Sequence, residues 1–148
     1  MASKLEHLVV SLEWAKQLPP ASFSTTLFVW EVPVDGKPVV RESSYADCTT
    51  TNTIKGRPGH KWYPAPTLHE IMLAVKRLAG KPNPVLCMLD FFNQNIRFEC
   101  RTYKNHASIG CLDHTLTAED QMAWLWVKLY KERRRRREEH DLLRKVQQ

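Results

Sequence analysis

Apolar residues recur at the three-and-four spacing of a helix most regularly between residues 68 and 78. Thr67 and Glu70 open this run as a T-x-x-E capping box, in which each side chain bonds to the other residue's backbone N–H. Gly80 follows the run, and glycine commonly ends a helix. A shorter helix is predicted near the start of the chain, between an N-cap at Ser11 and the first pair of prolines.

Two segments in the first third of the chain have the pattern of strands. TTLFVWEV (residues 25–32) is rich in β-branched and aromatic residues and carries apolar side chains on both faces, which predicts a strand inside a sheet. A weaker strand is predicted at 39–48. Residues 49–67 contain two glycines, three prolines and no acidic residue, which predicts an irregular segment.

Two later apolar runs, PVLCMLDFF (84–92) and IRFECRTY (96–103), are separated by three polar residues and predict a β-hairpin. In the predicted register the apolar residues share one face and a charged pair lies on the other. Two cysteines that face each other are then expected to be buried thiols. A two-residue turn at Asn93-Gln94 gives this register, with the pairs Phe91–Ile96, Asp90–Arg97, Leu89–Phe98 and Cys87–Cys100.

The last predicted element is a long helix that begins after Thr117, with two acidic residues at the positive end of its dipole. From Ala118 to about Gln147 it would be roughly 45 Å long at about 1.5 Å per residue. A domain of this size has a diameter of about 38 Å. Lys131–Asp141 contains no apolar residue, so the helix is predicted to extend beyond the domain. Its buried stripe is predicted to be Met122, Leu125, Trp126 and Leu129.

This order of elements predicts an α+β fold, in which a small antiparallel sheet packs with helices. With its 148 residues the chain has the length of one domain, and it needs no disulfide or metal to fold. We predict a single domain over residues 1–130 and a basic helical extension over residues 131–148. The chain shows no signal-peptide pattern and no run of roughly 20 apolar residues, so we expect a cytoplasmic protein with free thiols and no membrane contact.

The net charge of +6 lies mainly in the extension, because Lys131–Lys145 holds eight basic and four acidic residues. The pattern favours a self-neutralised, solvated helix, since most of the arginines in Arg133–Arg137 have an acid four residues away. Contact with nucleic acid phosphates and contact with an acidic protein partner are the alternatives. The predicted ion pairs are Glu132–Arg136, Arg134–Glu138, Arg135–Glu139 and Arg137–Asp141.

Two other surfaces are candidates for binding. Leu142, Leu143 and Val146 share one helix face beyond the charges, and we predict that another chain, either a copy or a different partner, covers them. Earlier in the chain, basic residues adjoin two aromatic residues, an arrangement that can bind phosphates and stack bases. The alternative that we favour is a surface loop anchored to the core by its aromatic side chains. This second surface consists of Lys55, Arg57, His60 and Lys61 with Trp62 and Tyr63.

Catalytic and metal chemistry have little support in the sequence. Cys100, His106, Cys111 and His114 have metal-binding side chains, but their spacing lacks the close cysteine pair of structural zinc sites. Cys111 with Asp113 and His114 has the residue types of a thiol nucleophile and base, which three local residues do not establish. No glycine-rich phosphate loop is present. We therefore expect no metal, no cofactor and no enzymatic activity.

The segments KWYPAPTLHEIMLAV and LTAEDQMAWLWVKLYKE together resemble small uncharacterised proteins of gut Bacteroidetes and their phages or prophages. The resemblance covers about half the chain. It implies a small α+β domain and a mobile-element context, but no reaction and no functional residues. The part after Lys131 departs from the family pattern. We expect a non-catalytic accessory or adaptor protein that associates through its C-terminal helix. The alternative is a nucleic-acid-binding accessory protein that uses Arg133–Arg137.

Overall fold

A computed structural model confirms the α+β fold, with three α-helices and six strands in the part of the chain that it describes. The described residues are 4–43, 51–79, 85–90, 95–101, 108–110, 113 and 115–148, with the strands between 85 and 110 described by their backbone alone. Short 3-10 helices cover Lys4–Leu8 and Pro20–Ser22. The main elements are α1 (Leu12–Ala15), β1 (Phe28–Val32), β2 (Val39–Glu42), β3 (Lys61–Pro64), α2 (Leu68–Ala79), β4 (Val85–Asp90), β5 (Asn95–Arg101), β6 (Ser108–Gly110) and α3 (Ala118–Val146).

The first sheet is antiparallel in the order β2-β1-β3, which confirms the prediction that β1 is an interior strand. The prediction that residues 49–67 are irregular throughout is wrong, because β3 lies inside this segment. Trp62 and Tyr63 favour a strand, and they pair with Glu31 and Trp30 of β1. The prolines and glycines around β3 obscured a strand whose pairing partner is distant in the sequence.

Both faces of this sheet are covered. On one face Trp30 packs with Val9 and Ala15, and its indole N–H donates to the carbonyl of Val10 at 2.8 Å. On the other face Val29 and Trp62 pack against Ile54, so residues 51–60 lie across the sheet. The sheet is therefore the middle layer between the N-terminal helices and this loop.

The capping box of α2 forms as predicted. The backbone N–H of Thr67 donates to Glu70 Oε2 at 2.8 Å, and the backbone N–H of Glu70 contacts Thr67 Oγ1 at 3.4 Å. The other carboxylate oxygen of Glu70 accepts a hydrogen bond from the backbone N–H of Leu27 at 2.9 Å. One glutamate therefore opens α2 and also holds the segment that leads into β1.

The main core lies between α2 and α3, where Ile71 and Val75 pack against the predicted stripe of the last helix. Thr117 caps α3 by accepting a hydrogen bond from the backbone N–H of Asp120 at 3.2 Å. Asp120 is buried, and its carboxylate accepts a bond from the backbone N–H of Ser11 at 2.8 Å. Ser11 does precede α1, but its side chain makes no capping bond.

The second sheet is antiparallel in the order β4-β5-β6, and β5 lies beside α3. The hairpin is confirmed, but the predicted register is wrong by two residues. Cys87 pairs with Phe98 and Asp90 pairs with Asn95. A two-residue turn would have placed a glutamine at a position of positive φ, which only a few residue types tolerate. Four residues, 91–94, separate the two strands instead, and they lie outside the described parts. The side chains of the two cysteines and the predicted helix end at Gly80 also lie outside them.

Candidate interaction surface on the C-terminal helix

The last helix changes from buried to exposed along its length. Most residues between Asp120 and Leu129 are buried, whereas residues 131–148 are exposed except for the half-buried Glu132. At about 1.5 Å per residue the 29 residues of α3 span about 43 Å. We call residues 131–148 the C-terminal arm. Beyond its first residues, its side chains are exposed to solvent.

Three of the four predicted ion pairs stabilise the arm. Each joins an arginine and a glutamate four residues apart, at N–O distances of 2.7 to 3.1 Å. Each such pair stabilises an isolated helix by about 0.2–0.5 kcal/mol. Among the described residues, Arg137 and Asp141 do not form the fourth predicted pair. The pairs that form are Arg134–Glu138, Arg135–Glu139 and Arg136–Glu132.

Arg133 and Arg137 differ from the other three arginines, because neither has an ion-pair partner within the described part of the chain. They are four residues apart, so they lie on the same face of α3. Together with Arg134 they line one end of a groove of about 260 Å³. Its remaining lining comes from the body of the protein: Ser22, Leu78, Trp126 and Tyr130.

The floor of this groove is aromatic. The rings of Trp126 and Tyr130 stack with centroids 4.9 Å apart and an angle of 13° between their planes. Phe23 packs edge-on against Trp126 at the same centroid distance. The groove therefore combines an apolar floor with guanidinium groups at its rim. Sequence reasoning assigned Trp126 to the core but missed the groove that it forms with Tyr130.

The tip of the arm carries the exposed apolar residues predicted from the sequence. Leu142, Leu143 and Val146 are 62%, 63% and 83% exposed. At about 100° per residue, Val146 lies about 180° around the helix axis from Arg137. The apolar tip and the unpaired arginines therefore occupy opposite faces of the arm.

The basic loop before β3 is organised around a buried acid. Glu31 is 4% exposed, and Arg57 donates a hydrogen bond to its Oε1 at 2.6 Å. Arg41 Nε lies 2.7 Å from the other carboxylate oxygen, an ion-pair contact without hydrogen-bond alignment. His60 Nδ1 lies 3.5 Å from Oε1. A single acid in an otherwise apolar strand was the sequence signal for this cluster.

This geometry changes the role of the second candidate surface. Arg57 is bound to Glu31, and Trp62 is only 4% exposed, so its ring is not available for stacking on a base. The anchoring interpretation is confirmed for Trp62. Lys55 and Lys61 remain exposed. Two lysines without an accessible tryptophan make a much weaker candidate for nucleic acid than the sequence alone implied.

The proposed zinc set and thiol nucleophile fall on side chains outside the described parts, apart from Asp113. The Asp113 carboxylate accepts a hydrogen bond from the backbone N–H of Thr115 at 3.0 Å. Within the described residues, no three His, Cys, Asp or Glu side chains are grouped to hold a metal ion.

None of the described helices has the length and apolar character to cross a membrane.

Comparisons with protein-family models, with curated proteins and with solved structures find no match to this chain.

Proposed function

We propose that this protein is a non-catalytic adaptor that associates with another chain through its C-terminal helix. The observation that carries the proposal is the exposure of Leu142, Leu143 and Val146, at 62%, 63% and 83%, at the solvent-exposed end of the arm. Isolated helices are marginal in water, and an exposed apolar cluster is stabilised when another surface covers it. The partner can be a second copy of the chain or a different protein.

The resemblance of residues 61–75 and 116–132 to proteins of gut Bacteroidetes and their phages supports a mobile-element origin for this adaptor. All but the first two residues of the arm lie beyond the resembling segments. We propose that it adds the association to a domain of this kind, and that the protein acts in the cytoplasm.

The test replaces the three apolar residues of the tip with serine, as Leu142→Ser, Leu143→Ser and Val146→Ser together. A matched control replaces two leucines and a valine of similar exposure on the body, Leu8, Leu27 and Val34. If the partner is a second copy, light scattering should show a mass above the monomer for the wild type and for the control, and a monomer for the tip variant. A monomeric wild type would overturn association between copies and leave a different protein as the partner. If both triple changes altered the measured mass equally, the tip would not be the association surface.

A second candidate function is contact with nucleic acid through the arm, and the two unpaired arginines favour it. Three arginines of the run are already bound to glutamates, which compete with phosphates for the same groups. Binding to phosphates would fall steeply between about 50 and 200 mM salt and would be similar for unrelated duplexes. Duplex DNA is therefore included in the binding experiment described below.

A further inference from the structure

One face of α3 continues from the body into the arm without interruption. Trp126, Tyr130, Arg133, Arg137, His140 and Arg144 follow one another at alternating spacings of four and three residues. At about 100° and 1.5 Å per residue they stay within an arc of about 80° over about 27 Å. This is the spacing of a seam along which two helices pack. We call these six positions the cationic seam.

The cationic seam extends the buried face of the helix. In the body, the same face carries Met122 and Trp126, which are buried against α2 and Phe23. Beyond Tyr130 the positions become basic and exposed. The face that is covered in the body is therefore uncovered in the arm, with its chemistry changed from apolar to cationic.

The charge of the cationic seam determines which kind of partner can bind it. Arg133, Arg137 and Arg144 have no ion-pair partner within the described residues, whereas the arginines at 134, 135 and 136 are neutralised on other faces. Asp141 lies beside the cationic seam and offsets part of its charge. A surface with three free guanidinium groups in line is complementary to a row of carboxylates.

The groove adds an apolar requirement. Leu78, Trp126 and Tyr130 give the body end of the cationic seam an apolar floor beside Arg133 and Arg137. An occupant that fits both parts carries an apolar side chain next to its acidic residues. An amphipathic helix presents such residues in a straight row, because positions three and four apart share a face.

Duplex DNA fits this surface less well. A helix in the major groove has its flanks close to the phosphates on both sides. On this arm the flanks carry Arg134 and Arg136, whose guanidinium groups are already bound to Glu138 and Glu132, and these two glutamates would repel phosphates. The straight row of free arginines is better matched by a straight partner.

We propose that the cationic seam is a docking site for an acidic amphipathic helix of a partner protein. Carboxylates of that helix bind Arg133, Arg137 and Arg144, and an apolar side chain enters the groove at Tyr130. This inference rests on the proposed function, association through the C-terminal helix. It places an acidic partner helix on the face of the arm opposite the apolar tip.

The probe is a fluorescein-labelled helical peptide of about 24 residues. One face of this peptide carries leucine at both ends and glutamate between them. A second peptide of the same composition carries its glutamates on the opposite face. Fluorescence anisotropy measures the binding of each to the full chain at about 100 mM salt. We expect the first peptide to bind at least about 10-fold more tightly than the second.

Two double variants of equal charge test the position of the site. Arg133→Gln with Arg137→Gln should weaken binding of the first peptide by about 10-fold or more. Lys131→Gln with Arg135→Gln removes the same charge from the opposite face, at the same spacing, and should change binding by less than about 3-fold. All four side chains are exposed, so both variants should keep the circular dichroism spectrum of the wild type.

Equal binding of the two peptides, or equal loss in the two double variants, would overturn the proposal and leave only unspecific attraction between charges. Tighter binding of a duplex of about 20 base pairs than of the first peptide would also overturn it, in favour of nucleic acid. The triple serine variant of the tip separates the two proposals. If it still binds the peptide while its own association is unchanged, the proposed role of the tip fails and the docking site stands.

Discussion

At the scale of single residues, the least expected arrangement surrounds Glu31. Its carboxylate is almost fully buried, and it contacts Arg41 from β2 and Arg57 from the loop that crosses the sheet. Removing a carboxylate from water costs several kcal/mol, which the two guanidinium groups offset. Both arginines remain about half exposed, at 53% and 52% of their side chains, so the cluster joins the surface loop to the sheet interior.

We expect Glu31→Gln to lower the free energy of unfolding by about 1–3 kcal/mol, because the hydrogen bond from Arg57 loses its charged acceptor. Urea denaturation measures this difference. The control is Glu42→Gln, a change of the same kind at an exposed position of the first sheet. If the two variants were equally stable, the burial cost of Glu31 would cancel the benefit of its ion pairs.

At the scale of elements, α2 and α3 differ in the interactions that stabilise them. The apolar face of α2 is buried against α3, and its capping box is complete. The arm half of α3 depends on its own sequence, with three ion pairs in place of a core. Local interactions of this size add up to about 1 kcal/mol, so the arm should open more readily than the rest of α3.

Changing Glu132, Glu138 and Glu139 together to glutamine removes all three ion pairs. We expect the backbone amides of the arm to exchange hydrogen about 3- to 10-fold faster, which corresponds to the loss of three such pairs. Hydrogen exchange with mass spectrometry reads the arm separately from the body. The control changes three glutamates of the body, Glu6, Glu13 and Glu42, and should leave exchange in the arm unchanged. Equal exchange in the two variants would contradict a stabilising role for the pairs.

At the scale of the whole molecule, the body contains all of the buried residues of the described chain, and the arm contains none. Stability of the body therefore should not depend on the arm. Association should depend on it, through the apolar tip on one face and the cationic seam on the other. The body part of α3 therefore contributes to folding, and we expect the arm part to contribute to binding.

Truncation after Tyr130 tests this separation. Because residues 131–148 bury almost nothing in the rest of the chain, we expect the melting temperature of the truncated monomer to stay within about 2 °C of the full chain. Truncation after Trp124 is the contrasting variant. It removes the buried Leu125, Trp126 and Leu129, and large buried side chains contribute about 2–5 kcal/mol each, so it should not fold. A body that fails to fold without the arm would show that the arm belongs to the core.

The sequence by itself determined the helices α2 and α3, the capping residues Thr67 and Thr117, and the interior position of β1. These features depend on residues within a few positions of one another, so spacing and residue type reveal them. The ion pairs of the arm were predictable for the same reason, since each joins residues four apart.

Only the tertiary structure decided the rest. The pairing of β3 with β1, the register of β4 with β5, and the contact of Arg57 with Glu31 join residues whose local patterns allow several arrangements. The second bond of Glu70, to Leu27, spans 43 positions of the chain. The groove at Tyr130 likewise needs the body and the arm in place together, because its apolar floor comes from α2 and α3 and its charge comes from the arm. Contacts between distant segments depend on how whole elements pack, which spacing along one segment does not encode.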